Sequence, residues 1–399
     1  MSTKISAKLL LDAVSDNGFD SGIVAKSTVE PLGGPGAPVK PAVYAGGHYQ
    51  KDKRWLGEGT NRQVVDAVVI DNVPSQANRL EAALERMAGQ LGLPSIVLDL
   101  STYPHLPPHV PTELSSFRFP HRNGDAYLRD SDLDGQAFIK TDIGGAIFNA
   151  TPSNPDALVE WMPQALLFGF WQSHLGKKGP QTKLARSWVS EIVGYEPGSV
   201  DTHRLGLKGD PLNLTTADAI RYDENDIRVW EVIEGKGKAG SKSKDSLAEV
   251  GHGQVPVSGT DAPLGAVSFG SIEQVATVSF AGLRAITTGD PARNGPMRAL
   301  LVALGLVAHV GAFGRGFTLR SGADLRPKDV TWTWLGESDD TELEVPTMDD
   351  VRQLFQDCVA EAEKVGLPVG SRWSSSPLRV EPNAALVKVL ASTFPEFDL

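Results

Sequence analysis

Apolar positions along this chain follow two rhythms, and those rhythms predict its elements. Val64–Ile70 (VVDAVVI) is almost continuously apolar and β-branched, the pattern of a buried strand. Immediately after it, Leu80, Leu84, Met87, Ala88 and Leu91 recur at helical spacing. They predict an amphipathic helix with Ser75 as its N-cap behind Pro74, ended by Gly92 and Pro94. Ser21–Glu30, Ser95–Leu100, Ile227–Ile233, Gln274–Phe280 and Val330–Leu335 read as strands, and so do Phe138–Phe148 and Ala165–Trp171. Lys183–Val193 reads as a short helix. Pro296–Gly311 is apolar on nearly all sides behind a proline, so it should be a buried helix. In Thr347–Val365 the residues Val351, Leu354, Phe355, Cys358 and Val359 mark one face of another amphipathic helix. Pro31–Pro41 and residues 101–125 read as loop. Glu234–Pro263, rich in Gly, Lys and Ser, has no periodicity and reads as a mobile insertion.

Composition adds little to this except through charge. The 399 residues are 41% hydrophobic and 22% charged, as in a globular protein. Cys358 is the sole cysteine, which excludes an internal disulfide and thiolate metal clusters. Residues 1–11 show no basic start followed by a long apolar core, and the apolar stretch Ala299–Val310 is too short for a bilayer. The expected location is therefore the cytoplasm. A net charge of −11 argues against a polyanionic partner until its distribution is considered. Glu337–Glu363 holds ten acidic residues against Arg352 alone, leaving only −2 for the rest of the chain. Within that rest are three basic clusters: Lys177, Lys178, Lys183 and Arg186; Lys236, Lys238, Lys242 and Lys244; and Arg315, Arg320, Arg326 and Lys328.

Several familiar motifs fail on inspection. Gly235, Gly237 and Gly240 fit G-x-G-x-x-G, but Ser241–Lys244 cannot continue as a hydrophobic helix, so a dinucleotide site is rejected. Asp130, Asp132, Asp134 and Gly135 resemble the start of an EF-hand loop, yet Thr141 stands where a glutamate is required, and a turn is the better reading. No histidines pair at zinc spacing. Two segments carry more. In Asn72–Arg79 (NVPSQANR), polar side chains and an arginine gather at a helix N-terminus, where free N–H groups favour an anion. Arg79 and Arg86 lie together on one flank of that helix. In Phe313–Gly322 (FGRGFTLRSG), glycines allow close approach of a phosphodiester, arginines neutralise it, and phenylalanines offer stacking surfaces.

At these segments the chain resembles the Cas-seven-type backbone subunit of type I CRISPR Cascade complexes, of the RAMP superfamily, in its type I-G (formerly I-U) form, the Csb-one family. That family carries a strand running into D-S-V-x-S-Q-A-N-R-L-E, and Asp71–Glu81 here reads DNVPSQANRLE. Further likenesses are His121-Arg122 with Asp125-Ala126, Leu167-Phe168-Gly169 with Trp171, and Ala303–Leu306; the resemblance spans roughly residues 20–335. Asn72 and Pro74 depart from the pattern. The resemblance implies an α+β fold with an RRM-like, ferredoxin-type core and hand-shaped insertions. Residues 1–336 would form that core, with insertions at about 101–200 and a thumb-like loop at about 234–263. Residues 337–399 would be an acidic helical extension packed on it. Guide RNA (crRNA) would be held by Ser75, Gln76, Asn78 and Arg79, by Gly314, Arg315, Gly316 and Arg320, and more weakly by Lys183 and Arg186. Implied partners are crRNA, the target DNA strand, further copies of the chain, other Cascade subunits and a helicase-nuclease; no cofactor, metal or membrane is implied. The rival expectation is a RAMP endoribonuclease using Asp125, Asp130 or Asp142. Because ten carboxylates beside RNA would repel phosphate, Glu337–Glu363 is expected on the surface away from the RNA.

Overall fold

The computed structural model describes residues 2–57, 59–173, 175, 181–204, 206–214, 216, 219–223, 227–233, 243–244, 247–253, 255–257, 263–373 and 376–394. Lys177, Lys178, Lys236, Lys238, Lys242 and the three glycines of the G-x-G-x-x-G match lie outside them, as does much of the 234–263 insertion.

The fold is α+β, and its main sheet contains nine strands among the described residues. In chain order they are β1 (Gly22–Pro31), β2 (Lys51–Leu56), β3 (Gln63–Asp71), β4 (Trp188–Pro197), β5 (Phe269–Ser279), β6 (Phe317–Thr318), β7 (Asp324–Pro327), β8 (Thr331–Leu335) and β9 (Asp340–Leu343). They lie in the order β6-β7-β1-β5-β4-β3-β2, with β8 also beside β1 and β9 beside β8, all antiparallel. Helix α1 (Val73–Leu91) follows β3, helix α2 (Pro291–Phe313) follows β5, and helix α3 (Met348–Lys364) follows β9. The path β1, α1, β4, β5, α2, β8 therefore runs strand–helix–strand–strand–helix–strand. Its strands sit in the order β8-β1-β5-β4, and the β2–β3 hairpin extends the β4 edge.

Alternation decides which face meets the helices. In β5, Ile272, Gln274, Ala276 and Val278 are buried while Ser271, Glu273, Val275 and Thr277 are only half-covered. Leu80 and Leu84 of α1 and Leu300, Leu304 and Val307 of α2 share one core with Ala276, Val278 and Trp188. Gly305 permits that packing, since a Cβ there would meet Trp188 Cε3 at 2.4 Å. Helix α2 starts earlier than expected and, at 23 residues, is long and apolar enough to cross a membrane, but here most of it is buried inside the fold.

Residues after 337 contribute to the two largest sheets. β9 extends the main sheet, while Leu378–Pro382 enters a second one, parallel to Ile96–Asp99 and antiparallel to Ser131–Leu133. α3 packs on the core through Val351, Leu354, Phe355 and Cys358, behind a capping box in which Thr347 and Asp350 satisfy each other's backbone N–H groups. Burial, with Asp357 and Glu361 alongside, pushes the Cys358 thiol up to about 12.

Four sequence expectations require correction. Lys183–Val193 is not a helix: Thr182–Leu184 is a strand, and β4 begins at Trp188 with the two-residue alternation of a sheet. Phe138–Phe148 is not a strand, because the Thr141 hydroxyl caps a helix over Asp142–Phe148. Ala165–Trp171 is divided by Gly169 into helix Pro163–Phe168 and strand Phe170–Gln172; the glycine has φ +73°. The N-cap of α1 is Asn72, whose side chain accepts from Ser75 N; Pro74 lies in the first turn. The Asp134-Gly135 pair, with φ of 50° and 76°, forms the expected turn of a hairpin between Ser131–Leu133 and Gln136–Ala137.

Candidate nucleic-acid interface

β3 ends at Asp71 and α1 begins two residues later, which leaves a fully buried carboxylate beneath the first helical turn. Ser75 Oγ donates to it at 2.9 Å and Gln76 Nε2 at 2.6 Å. Arg79, one turn on, donates through Nε at 2.8 Å and Nη2 at 3.2 Å, and Nη2 also reaches the Leu319 carbonyl at 2.9 Å. From the loop beyond α2, Arg320 Nη2 donates to the same carboxylate at 2.7 Å, while its Nη1 binds the carbonyls of Lys40 and Ile70. Burial alone would raise the Asp71 pKa; hydrogen bonds and charge from Arg79, with Gln76 and Ser75, hold it below the usual carboxylate range. Gln76 is itself fully buried, its Oε1 accepting from Ser190 Oγ and Gln274 Nε2 at 2.7 and 2.8 Å. Asp71 therefore ties the start of α1 to the glycine-rich loop.

Ser75 and Gln76, expected to meet an anion directly, instead support that joint from within. Arg79 and Arg320 are each about one-quarter exposed, and Arg79 Nη1 and Arg320 Nε carry no protein hydrogen bond among the described residues. Net of one carboxylate, the joint is positive.

Beside this joint the surface opens into a groove. A cavity of about 310 Å³ is lined by Arg79, Arg86, Arg315, Gly311, Gly316 and Phe317, among others. It adjoins a second, of about 630 Å³, and both are lined by Arg86, Gly311, Phe313 and Arg315. Arg86 and Arg315 are exposed and make no ion pair among the described residues. The larger cavity adds Met87, Gln90, His309, Trp332, Met348 and Arg352. His309 is 7% exposed, set among the rings of Trp188, Phe313 and Trp332 at 5.8, 5.5 and 5.4 Å between centroids. Its Nδ1, itself fully buried, has no hydrogen-bond partner among the described residues, and burial lowers its pKa to about 4, so the ring is neutral at pH 7.

Gly314 closes α2: its N–H bonds the Val310 carbonyl, and a Cβ there would lie 2.6 Å from that oxygen. Gly316 is open, the nearest atom to such a Cβ being Leu325 O at 3.7 Å. Asn78 is exposed on α1 and lines neither cavity. Lys183 and Arg186 line neither one either. Lys183 Nζ sits 5.8 Å over the exposed Trp171 ring, and Arg186 lies near the buried Arg122–Glu81 pair, where desolvation and the Arg122 charge lower its pKa. Of the aspartates weighed for catalysis, Asp125 caps Ala126–Arg129, Asp130 pairs with Arg129, and Asp142 stands in the first turn of its helix.

Part of Glu337–Glu363, the stretch expected on the surface away from RNA, borders this groove. Val345, Pro346, Thr347, Met348 and Arg352 line the larger cavity, although none of the segment's carboxylates does. Arg86 and Arg352 extend the cationic set beyond the residues singled out from sequence. Arg86 was detectable from its seven-residue spacing to Arg79, whereas Arg352 reaches the groove only because α3 packs on α2.

This is an α+β protein with an antiparallel main sheet, and several of its guanidinium groups line one groove, an arrangement electrostatically suited to anions. Residues 23–197, less than half of the chain, match the family model described as CRISPR-associated protein GSU0053, so that stretch is similar to a CRISPR-associated protein family. The match runs from β1 to the end of β4 and includes Asp71, Arg79 and Arg86; Arg315, Arg320 and Arg352 come from beyond it. No curated protein matches the chain.

Proposed function

We propose that the protein is the crRNA-binding backbone subunit of a type I CRISPR surveillance complex, of the Cas-seven kind in its type I-G form. The observation that carries this reading is the groove in which Arg79 and Arg86 of α1 face Arg315 across Gly311 and Gly316. Arg86 and Arg315, without ion pairs among the described residues, and the partly exposed Arg79 beside glycine backbone suit phosphodiesters and discriminate poorly among bases. The βαββαβ path with its β8-β1-β5-β4 order supports an RRM-like core, and the CRISPR-associated family match supports the biological setting. In this reading, copies of the chain line up along the guide in the cytoplasm and present it to the target DNA strand. Other Cascade subunits complete the complex, and a recruited helicase-nuclease does the cutting. The subunit itself catalyses nothing and needs no cofactor.

The test is the salt dependence of single-stranded RNA binding by the purified protein. Each neutralised phosphate adds about −0.7 to the slope of log K against log salt, so the slope should be steeper than −1. Arg86→Ala and Arg315→Ala should each make it shallower by about 0.7, equally for unrelated RNA sequences. A flat dependence, or strong preference for one sequence, contradicts the reading.

A further inference from the structure

Helix α1 is braced on the flank that turns away from the groove. Arg79 and Arg86 line the groove, whereas Glu81, two residues after Arg79, points about 200° round the helix from it. There Glu81 and Arg122 form a buried ion pair at 2.7 and 2.8 Å, and Arg122 Nη1 also donates to the Gly169 carbonyl at 3.0 Å. Gly169 is the root of a two-stranded ribbon in which Phe170–Gln172 runs antiparallel to Thr182–Leu184. Trp171 stands opposite Lys183 in this ribbon, between the buried Phe170 and Gln172. The two-residue alternation of a strand therefore sends the indole outward.

Trp171 is 62% exposed, and Lys183 Nζ lies 5.8 Å from its ring centroid. Arg186 is exposed two residues beyond the ribbon, and the carboxylate near it, Glu81, is already taken by Arg122. Neither Lys183 nor Arg186 makes an ion pair among the described residues. A surface indole beside two uncompensated cations offers a stacking plane together with charge for the phosphates flanking a base. Trp55 makes the contrast. It is 56% exposed with Arg62 over its ring at 5.0 Å, but Lys51, Lys53 and Arg54 of its strand are bonded to the carboxylates of Asp201, Asp66, Asp52 and Glu191. The charge of that strand is spent inside the protein, whereas the charge beside Trp171 is not.

We propose that Trp171 stacks on a base of single-stranded nucleic acid, with Lys183 and Arg186 neutralising the adjoining phosphates. The contact is separate from the groove: it lies on the other flank of α1 and uses an indole plane. It rests on the proposed function for its class of ligand. RNA and DNA strands share this chemistry, and both are partners in that reading.

The experiment uses the full chain freed of nucleic acid and two pairs of probes. One pair is a single-stranded oligouridylate and a ribose–phosphate strand of equal length and charge without bases. The other is oligothymidylate and its baseless form. Trp171→Ala should weaken binding of a base-bearing strand about tenfold and leave the baseless strand unchanged. Trp171→Phe, which keeps an aromatic plane, should stay within about threefold of the unaltered protein. Trp55→Ala should alter neither strand. An effect confined to the ribose pair identifies an RNA strand, one confined to the deoxyribose pair a DNA strand, and an effect on both a surface indifferent to the sugar; each supports the contact. Unchanged affinity of Trp171→Ala for both base-bearing strands overturns it. Equal weakening of base-bearing and baseless strands also overturns it, since the tryptophan would then only support the ribbon. If Trp171→Ala has no effect while Arg86→Ala and Arg315→Ala flatten the salt slope, this contact fails and the groove reading stands. If those two variants leave the slope untouched while Trp171→Ala still weakens the base-bearing strand, the groove reading fails and this contact stands.

Discussion

Replacing Asp71 by asparagine tests whether one carboxylate holds the groove together. The substitution keeps size and shape but removes the charge that accepts hydrogen bonds from Ser75, Gln76, Arg79 and Arg320. Asp71 is fully buried, and removing one partner of a buried ion pair costs about 3–5 kcal/mol. Arg79 and Arg320 are 26% and 25% exposed, so water recovers part of that loss and the lower end, about 3 kcal/mol, applies. With an m-value of about 3 kcal/mol/M, the urea midpoint at pH 7 should fall by about 1 M. Binding should respond in the opposite sense. Two guanidinium groups lose their internal counter-charge, so the salt slope for RNA should not become shallower. The pH dependence follows from the lowered pKa. A carboxylate whose folded pKa is depressed stabilises fully above its unfolded value of about 3.9 and loses that contribution as pH falls through the folded value. The unaltered protein should therefore lose this contribution only in acid, and Asp71→Asn should lack that component of acid sensitivity. A midpoint within about 0.3 M of the unaltered protein would refute the assignment of Asp71 as the tie between α1 and the glycine-rich loop.

His309 should make the protein sensitive to milder acid. Its folded pKa is about 4, so below its unfolded value of about 6.5 the unfolded chain takes up a proton that the fold refuses; stability should drop by about 3 kcal/mol between pH 7 and pH 4. A series of melting temperatures should show that component vanish in His309→Phe. Gly314→Ala should destabilise by about 1–3 kcal/mol, because its Cβ would lie 2.6 Å from Val310 O. Gly316→Ala, open on that side, should stay within about 0.5 kcal/mol by the same urea titration. Equal effects at the two glycines would refute the distinction.

The elements legible from sequence were those whose periodicity is set by one buried face. The stripe Leu80, Leu84 and Met87 located α1, and the nearly uniform apolarity of Pro296–Gly311 located α2. β4 was lost because its inward residues include Ser190, a polar group buried to serve Gln76, which breaks the apolar alternation that marks a strand. Asp142–Phe148 was misread because apolar Ile143, Ile147 and Phe148 outweighed the cap at Thr141. At the site, the S-Q-A-N-R block announced itself as a special helix start. Its central feature, a carboxylate one residue before the cap, was invisible as such, because burial is a tertiary fact. Arg352 was obscured by its ten acidic neighbours.

The Asp71–Arg320 contact joins residues 249 apart in the chain. Contacts of such separation form late, after the loop-closure entropy has been met by other structure. Chains emerge from the ribosome N-terminus first. A growing chain that has completed β1 to β4 displays Arg79 and Arg86 with nothing opposite them. Only when Arg315, Arg320 and finally Arg352 have been made and packed does a groove exist. The groove is thereby a product of long-range folding: a half-folded chain offers scattered arginines rather than one continuous cationic surface.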